Sequence, residues 1–163
     1  DTSKDYIIKE FSLGDLVRKI IGKNYKDFIN KNIKLELSEV NENVFSDTKW
    51  CEFIINQILI NSIKYCDKND PRIEIKSISK DTKVILSIKD NGVGISEKDI
   101  KRIFDKGFTG ENGRVYGKST GMGLYICKSL CEKLSIGIEV TSEKDKWTNV
   151  DIIFPLNKKE LFK

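Results

Sequence analysis

Three clusters of acidic, amide and glycine residues could do chemistry in this chain of 163 residues, which contains no histidine. The first is Asp90-Asn91-Gly92-Val93-Gly94, directly after the alternating stretch Val84 to Ile88. A carboxylate at a strand end can accept a hydrogen bond from the 6-amino group of adenine. Guanine offers a carbonyl oxygen at that position, and two acceptors facing each other in a buried site cost about 1–3 kcal/mol. Gly92 and Gly94 would let the backbone turn and approach a flat base closely. Taken by itself, the pattern fits a turn without a ligand equally well.

The second cluster is Gly117-Lys118-Ser119-Thr120-Gly121-Met122-Gly123-Leu124, which opens a helix. Glycines ahead of a helix N-terminus expose backbone N–H groups suited to phosphate oxygens. It is not a P-loop, which needs glycine five positions before Gly117, where Asn112 stands, and a buried strand before that. The spacing G-xxx-G-x-G also departs from the dinucleotide fingerprint. A merely flexible loop is the plain alternative. The third cluster lies on an apolar helix, where Gln57, Asn61 and Lys64 follow one another at i, i+4 and i+7 and so share a face. Polar groups on the stripe of a core helix need partners or lose solvation. A magnesium ion with nucleotide phosphates would satisfy all three, and so would amides bonded to each other or lying at the surface.

Composition narrows the chemistry. Without histidine there is no Ser-His-Asp or Cys-His nucleophile and no imidazole base. Cys51, Cys66, Cys127 and Cys131 form no CxxC or paired-knuckle spacing, so buried free thiols of a reducing compartment are expected rather than zinc or a disulfide framework. A net charge of +4, spread along the chain, suits a phosphate ligand and gives no basic stripe for nucleic acid. No apolar run approaches the roughly 20 residues of a membrane span, and none reads as a signal peptide.

The elements that must hold these residues follow from periodicity. Tyr6 to Phe11 alternates as a strand, Ser12 starts a helix whose stripe is Leu16, Ile20, Tyr25 and Phe28, and Asn32 to Val40 alternates again. Val44-Phe45 adds a short strand, and Asp47 or Thr48 caps the helix that carries the third cluster. Arg72 to Ser77 and Val84 to Ile88 are strands, Ser96 caps a short helix through Phe104, and 105 to 123 is a long polar loop. A helix over Leu124 to Leu134 and strands near Gly137 to Thr141 and Thr148 to Phe154 complete the chain. Strands joined by short turns pair antiparallel, which predicts an α+β two-layer sandwich: a mixed, mainly antiparallel sheet covered on one face by about three helices.

Taken together, the third, first and second clusters resemble, in that order, the N, G1 and G2 boxes of the GHKL ATP-binding superfamily, whose fold is the Bergerat fold. Between the latter two, Ile103-Phe104-Asp105-Lys106-Gly107-Phe108-Thr109-Gly110 resembles the F box of histidine kinases. The resemblance spans residues 47 to 155 and implies the catalytic ATP-binding domain of a bacterial sensor histidine kinase, over 1–163, with a lid near 105–122. It implies ATP and magnesium as ligands. Asn61 would be the metal ligand and, with Gln57 and Lys64, part of the catalytic group, Lys64 touching phosphate. Tyr65 would pack on adenine and Asp90 would select it, with Gly92, Gly94 and Ile95 shaping the base pocket and Thr148 reaching it through water. Phe104 and Phe108 would hinge and anchor the lid, with Thr109 and Gly110 beside the nucleotide. Gly117, Ser119, Thr120, Gly121, Met122, Gly123 and Leu124 would surround the phosphates. The run Phe108 to Arg114 looks most like the intramembrane-sensing kinases of antimicrobial-peptide and bacitracin resistance, with Arg114 a triphosphate contact.

One departure separates branches of the superfamily. Where gyrase, heat-shock chaperone and mismatch-repair ATPases carry a water-activating glutamate, this chain has Gln57, and an amide cannot take a proton at neutral pH. That favours transfer of the γ-phosphoryl group to another acceptor over hydrolysis. The implied acceptor is a histidine on a dimerisation hairpin that is absent from this chain. The implied partners are that hairpin and a response regulator, the parent being a homodimer in the bacterial cell membrane and this domain a cytoplasmic monomer with no nucleic-acid partner. A nucleotide-driven ATPase switch, an anti-sigma-type serine kinase and a degenerate, non-catalytic binding module are the alternatives.

Overall fold

The computed structural model describes residues 6–111 and 122–155. Strand β1 (Lys9–Ser12) runs into helix α1 (Leu13–Lys23), whose first turn is capped by the Ser12 hydroxyl accepting the Asp15 N–H at 3.1 Å. Leu13, Leu16, Val17 and Ile20 are buried, the spacing of a single helical face. The helix expected to continue through Phe28 breaks at Asn24. There the side-chain amide donates to the Ile20 carbonyl at 2.9 Å, taking the acceptor the Asn24 N–H would have used, and that N–H turns to Ile21 instead. The same amide donates to Asn56 Oδ1 at 2.8 Å, and α2 (Tyr25–Asn30) resumes beyond it.

Strands β2 (Lys34–Leu37) and β3 (Asn43–Ser46) lead to α3 (Thr48–Tyr65). The buried carboxylate of Asp47 starts this helix, accepting the Trp50 N–H at 3.1 Å, and its second oxygen accepts the Ile7 N–H at 2.7 Å. At the other end, Lys31 Nζ donates to the carbonyls of Ile63 (2.6 Å) and Lys64 (3.1 Å), placing a cation at the negative pole of the helix. Then come β4 (Arg72–Lys80), β5 (Lys83–Asp90), α4 (Glu97–Ile100), α5 (Met122–Lys133), β6 (Gly137–Glu143) and β7 (Trp147–Pro155). Helix α4, expected to reach Phe104, ends at Ile100 and gives way to turns.

The main sheet has five strands in the order β2-β4-β5-β7-β6; β2 and β4 are parallel and every other pair is antiparallel. The strands expected at 6–11 and 44–45 form a separate antiparallel ribbon of β1 with β3. Alternation decides which face is covered. Ile73 and Ile75, Val84, Leu86 and Ile88, and Val150, Ile152 and Phe154 point inward and are buried against Ile54, Ile55, Ile58 and Leu59 of α3. Residues between them on β4 and β5, such as Arg72, Lys76 and Lys89, are exposed. The result is the expected two-layer sandwich, and all four cysteines are buried and unbridged.

Candidate functional site

The inward face of β5 ends in an acid. Register sets Asp90 opposite Ile73 on one side and Thr148 on the other, so the carboxylate follows Ile88 at the edge of the core. It is only 4% exposed. Its Oδ1 accepts the Gly92 N–H at 2.9 Å, and the Ser62 hydroxyl of α3 also bonds the carboxylate. Burial outweighs these bonds and the charge of Lys68, pushing its pKa up from 3.8 to about 6. The acid therefore stays largely ionised at neutral pH.

The turn after Asp90 is built for close approach. Asn91 faces away, its side chain accepting the Arg72 N–H and donating to the Asp70 carbonyl, both at 2.7 Å. A Cβ on Gly92 would stand 2.1 Å from the Tyr65 carbonyl oxygen, so only glycine lets the turn lie on the end of α3. Gly94 has φ +67, and a Cβ there would meet the Glu143 carbonyl oxygen at 2.2 Å. The β6–β7 hairpin is thus seated on this turn, with the Asp145 N–H bonded to the Val93 carbonyl at 2.7 Å and Lys68 Nζ bonded to the Asp145 carbonyl. Next, the Ile95 N–H donates to Ser142 Oγ (2.8 Å), itself 2.9 Å from Thr148 Oγ1.

These elements enclose a cavity of about 370 Å³ at the β5 end of the sheet. Its walls include Gln57, Asn61 and Tyr65 from α3, Gly94 and Ile95 from the turn, Phe108, Thr109 and Gly110, and Gly123 and Leu124 at the start of α5, with Asp90 and Thr148 at its floor. Helix α5 meets α3 closely here, since a Cβ on Gly123 would lie 2.8 Å from Gln57 Oε1.

Three of the described site residues are not cavity walls. Gly92 supports the cavity from behind, and Met122 opens α5. Lys64 shares a helix face with Gln57 and Asn61 but stands outside the cavity walls. At about 100° per residue the α3 walls Gln57, Ile58, Asn61, Ser62 and Tyr65 centre about 70° round from Gln57, whereas Lys64 falls about 20° to the other side. Its ammonium instead lies 5.3 Å from the centroid of the Tyr65 ring, at the rim. Arg114, Gly117, Ser119, Thr120 and Gly121 lie outside the described residues.

Sequence reasoning missed Ser62, Asp99 and the apolar floor of Ile138, Val140 and Val150. Alternation within β6 and β7 marks those apolar positions, but only pairing brings them under Asp90: Val140 opposes Val150, and Val150 opposes Ile88. Ser62 was legible as a small polar residue one position after Asn61. Among the described residues no group of three or more histidines, cysteines or carboxylates could hold a metal.

Residues 46–158 match the family model of histidine kinase-, DNA gyrase B- and HSP90-like ATPases. The chain is 33% identical over 152 residues to sensor histidine kinase YxdK of Bacillus subtilis (strain 168), covering 93% of this chain and 47% of that protein. It is 48% identical over 118 residues to sensor protein kinase GraS of Staphylococcus aureus (strain JH1), covering 72% of this chain and 34% of that protein. The chain therefore spans about half or less of these relatives. Among solved structures, the catalytic domain of histidine kinase ThkA superposes with TM-score 0.79 at 22% identity, covering 94% of this chain and 99% of that one. The mycobacterial sensor histidine kinase MprB also gives 0.79, at 18% identity and 91% and 97% coverage. Both share the two-layer α+β fold. No helix among the described residues is long and apolar enough to cross a membrane.

Proposed function

Because the chain belongs to the histidine kinase-, DNA gyrase B- and HSP90-like ATPase family, a family of ATP-binding domains, we propose that its cavity binds ATP with magnesium and delivers the γ-phosphoryl group to a histidine on the dimerisation hairpin of a two-component sensor kinase. One observation carries this reading: the buried carboxyl of Asp90 lines a cavity big enough for a purine. Beyond the Gly92 N–H and the Ser62 hydroxyl, such a carboxylate has acceptor capacity left for a further donor, and the adenine 6-amino group supplies one where guanine would bring a second acceptor.

The remaining walls divide the nucleotide between them. Tyr65 and Ile95 flank the base, Gly92 and Gly94 let the turn reach it, and Thr148 meets it through water from beside Asp90. Phosphates point toward α3 and the first turn of α5, where the backbone at Gly123 and Leu124 lies at a helix N-terminus. Asn61 and Gln57 both line the cavity, and hard neutral amide oxygens suit magnesium when phosphates complete its shell. Asn61 would be the protein ligand, and the ion, when bound, would neutralise charge on the transferring phosphoryl group. Lys64 reaches a phosphate from the rim.

Gln57 sets the direction of the chemistry. Its amide orients but takes no proton, so the side chain at this position cannot activate water and the phosphoryl group waits for an outside nucleophile. The parent kinase would be a membrane-bound homodimer of the antimicrobial-peptide-resistance type, this domain lying on its cytoplasmic side. ThkA has been solved in complex with response regulator protein TrrA; a response regulator as final acceptor is the corresponding reading for this chain.

The test uses γ-labelled ATP and this protein, alone and with a histidine-bearing hairpin fragment. Saturable heat with Mg·ATP is expected in calorimetry, and stable label on the hairpin only. Failure of folded protein to show saturable binding, or stable self-labelling in the absence of the hairpin, would overturn the reading.

A further inference from the structure

Asp99 sits on α4 and faces the cavity, yet nothing in the proposed chemistry uses it. Its backbone is fixed, since its own N–H donates to the capping hydroxyl of Ser96 at 3.2 Å. Its carboxylate reaches across 12 residues: Oδ2 accepts the Glu111 N–H at 2.9 Å. Between them lies Gly110, buried, with φ +62, where a Cβ would stand 2.9 Å from Asp99 Oδ2 and 3.1 Å from Phe108 Cζ. Two further contacts hold the same short stretch. The Arg102 guanidinium lies 4.5 Å from the centroid of the Phe108 ring, and Lys144 Nζ of the β6–β7 hairpin lies 3.3 Å from the Glu111 carboxylate. Phe108, Thr109 and Gly110 are all cavity walls.

We propose that Asp99 is a positioning residue for nucleotide binding: its carboxylate caps the Glu111 N–H and so holds the wall formed by Phe108, Thr109 and Gly110 in its binding geometry. Ionised carboxylate to backbone N–H is a strong, directional bond. The two neighbouring contacts do not replace it. The Lys144–Glu111 pair is about half exposed on both sides and therefore weak, and the Arg102–Phe108 contact leaves the backbone of 110–111 free to turn. The positive φ of Gly110 is the other half of the device, because only glycine adopts it while leaving room for the carboxylate.

This proposal rests on the ATP reading, and its experiment separates the two. Asp99→Ala and Asp99→Asn are compared with the wild type, first without nucleotide by amide hydrogen exchange, then with Mg·ATP by calorimetry. The alanine variant should exchange the Glu111 amide at least tenfold faster and bind Mg·ATP about tenfold more weakly, with circular dichroism unchanged. Asparagine keeps an acceptor oxygen in place and should restore most of both. Unchanged Glu111 exchange in Asp99→Ala, or faster exchange with unaltered affinity, overturns the positioning role. A wild type that does not bind Mg·ATP overturns the ATP reading instead, and the exchange result stands apart from it.

Discussion

Asp90 is asked to do two things that oppose each other. Its folded carboxyl keeps a proton up to about pH 6, whereas the unfolded chain releases it near 3.8. Between those values the folded state binds more protons, so stability falls as pH rises through the window and the loss is complete above it. A buried carboxylate waiting for a ligand is thus a strain on the empty domain. Asp90→Asn should raise the urea-unfolding free energy at pH 7 by about 1–3 kcal/mol and flatten its pH dependence between 4 and 6. The same change should weaken Mg·ATP about a hundredfold, because an amide there offers the base a weaker, uncharged acceptor. Wild-type affinity should also fall as pH drops below about 6, read by calorimetry across pH. Asn61→Asp argues the other half of the site: the added charge beside the phosphates should cut phosphoryl transfer to the hairpin at least tenfold while leaving adenosine binding intact, measured with labelled ATP and by competition.

Helix α3 carries both the core and the site, and its start matters as much as its face. Asp47 satisfies the Trp50 N–H and also the Ile7 N–H, so one carboxylate begins the helix and fastens the segment ahead of β1 to it. Asp47→Ala removes a helix cap worth about 1 kcal/mol and leaves a further backbone donor without its partner; a loss of about 2–4 kcal/mol in chemical denaturation is expected. The cap at Asp47 and the stripe of α3 were readable because both are local, repeating every three or four residues. The break at Asn24 was not, since it depends on one side-chain amide bonding both its own helix and Asn56 on another. The position of Lys64 outside the cavity walls was hidden for a related reason: seven residues bring it near Gln57 on the cylinder, but which sector faces the cavity is decided by how α3 lies on the sheet.

At the scale of the molecule, the sequence carried the two-layer sandwich because alternation and helical stripes were strong and turns were short. It did not carry the pairing, so neither the separate β1–β3 ribbon nor the parallel β2–β4 edge was evident, nor the passage of Ile138 and Val140 beneath Asp90. The motifs, by contrast, gave most of the cavity, since Gln57, Asn61, Tyr65, Asp90, Gly94 and Thr148 do converge. With Gln57 in place of a water-activating acid, nucleotide should not drive assembly: light scattering is expected to show a monomer with and without Mg·ATP, and nucleotide-dependent dimers would favour the ATPase-switch alternative. The direction of β7 has a practical consequence as well. Pro155 lies opposite Lys83, whereas Thr148 lies opposite Asp90, so the strand carries the chain roughly 23 Å from the acid at about 3.3 Å per residue. A fluorophore or immobilisation tag fused downstream of that proline starts from the far end of the sheet, which makes this the side from which to anchor the molecule to a sensor chip while its mouth stays open to solution.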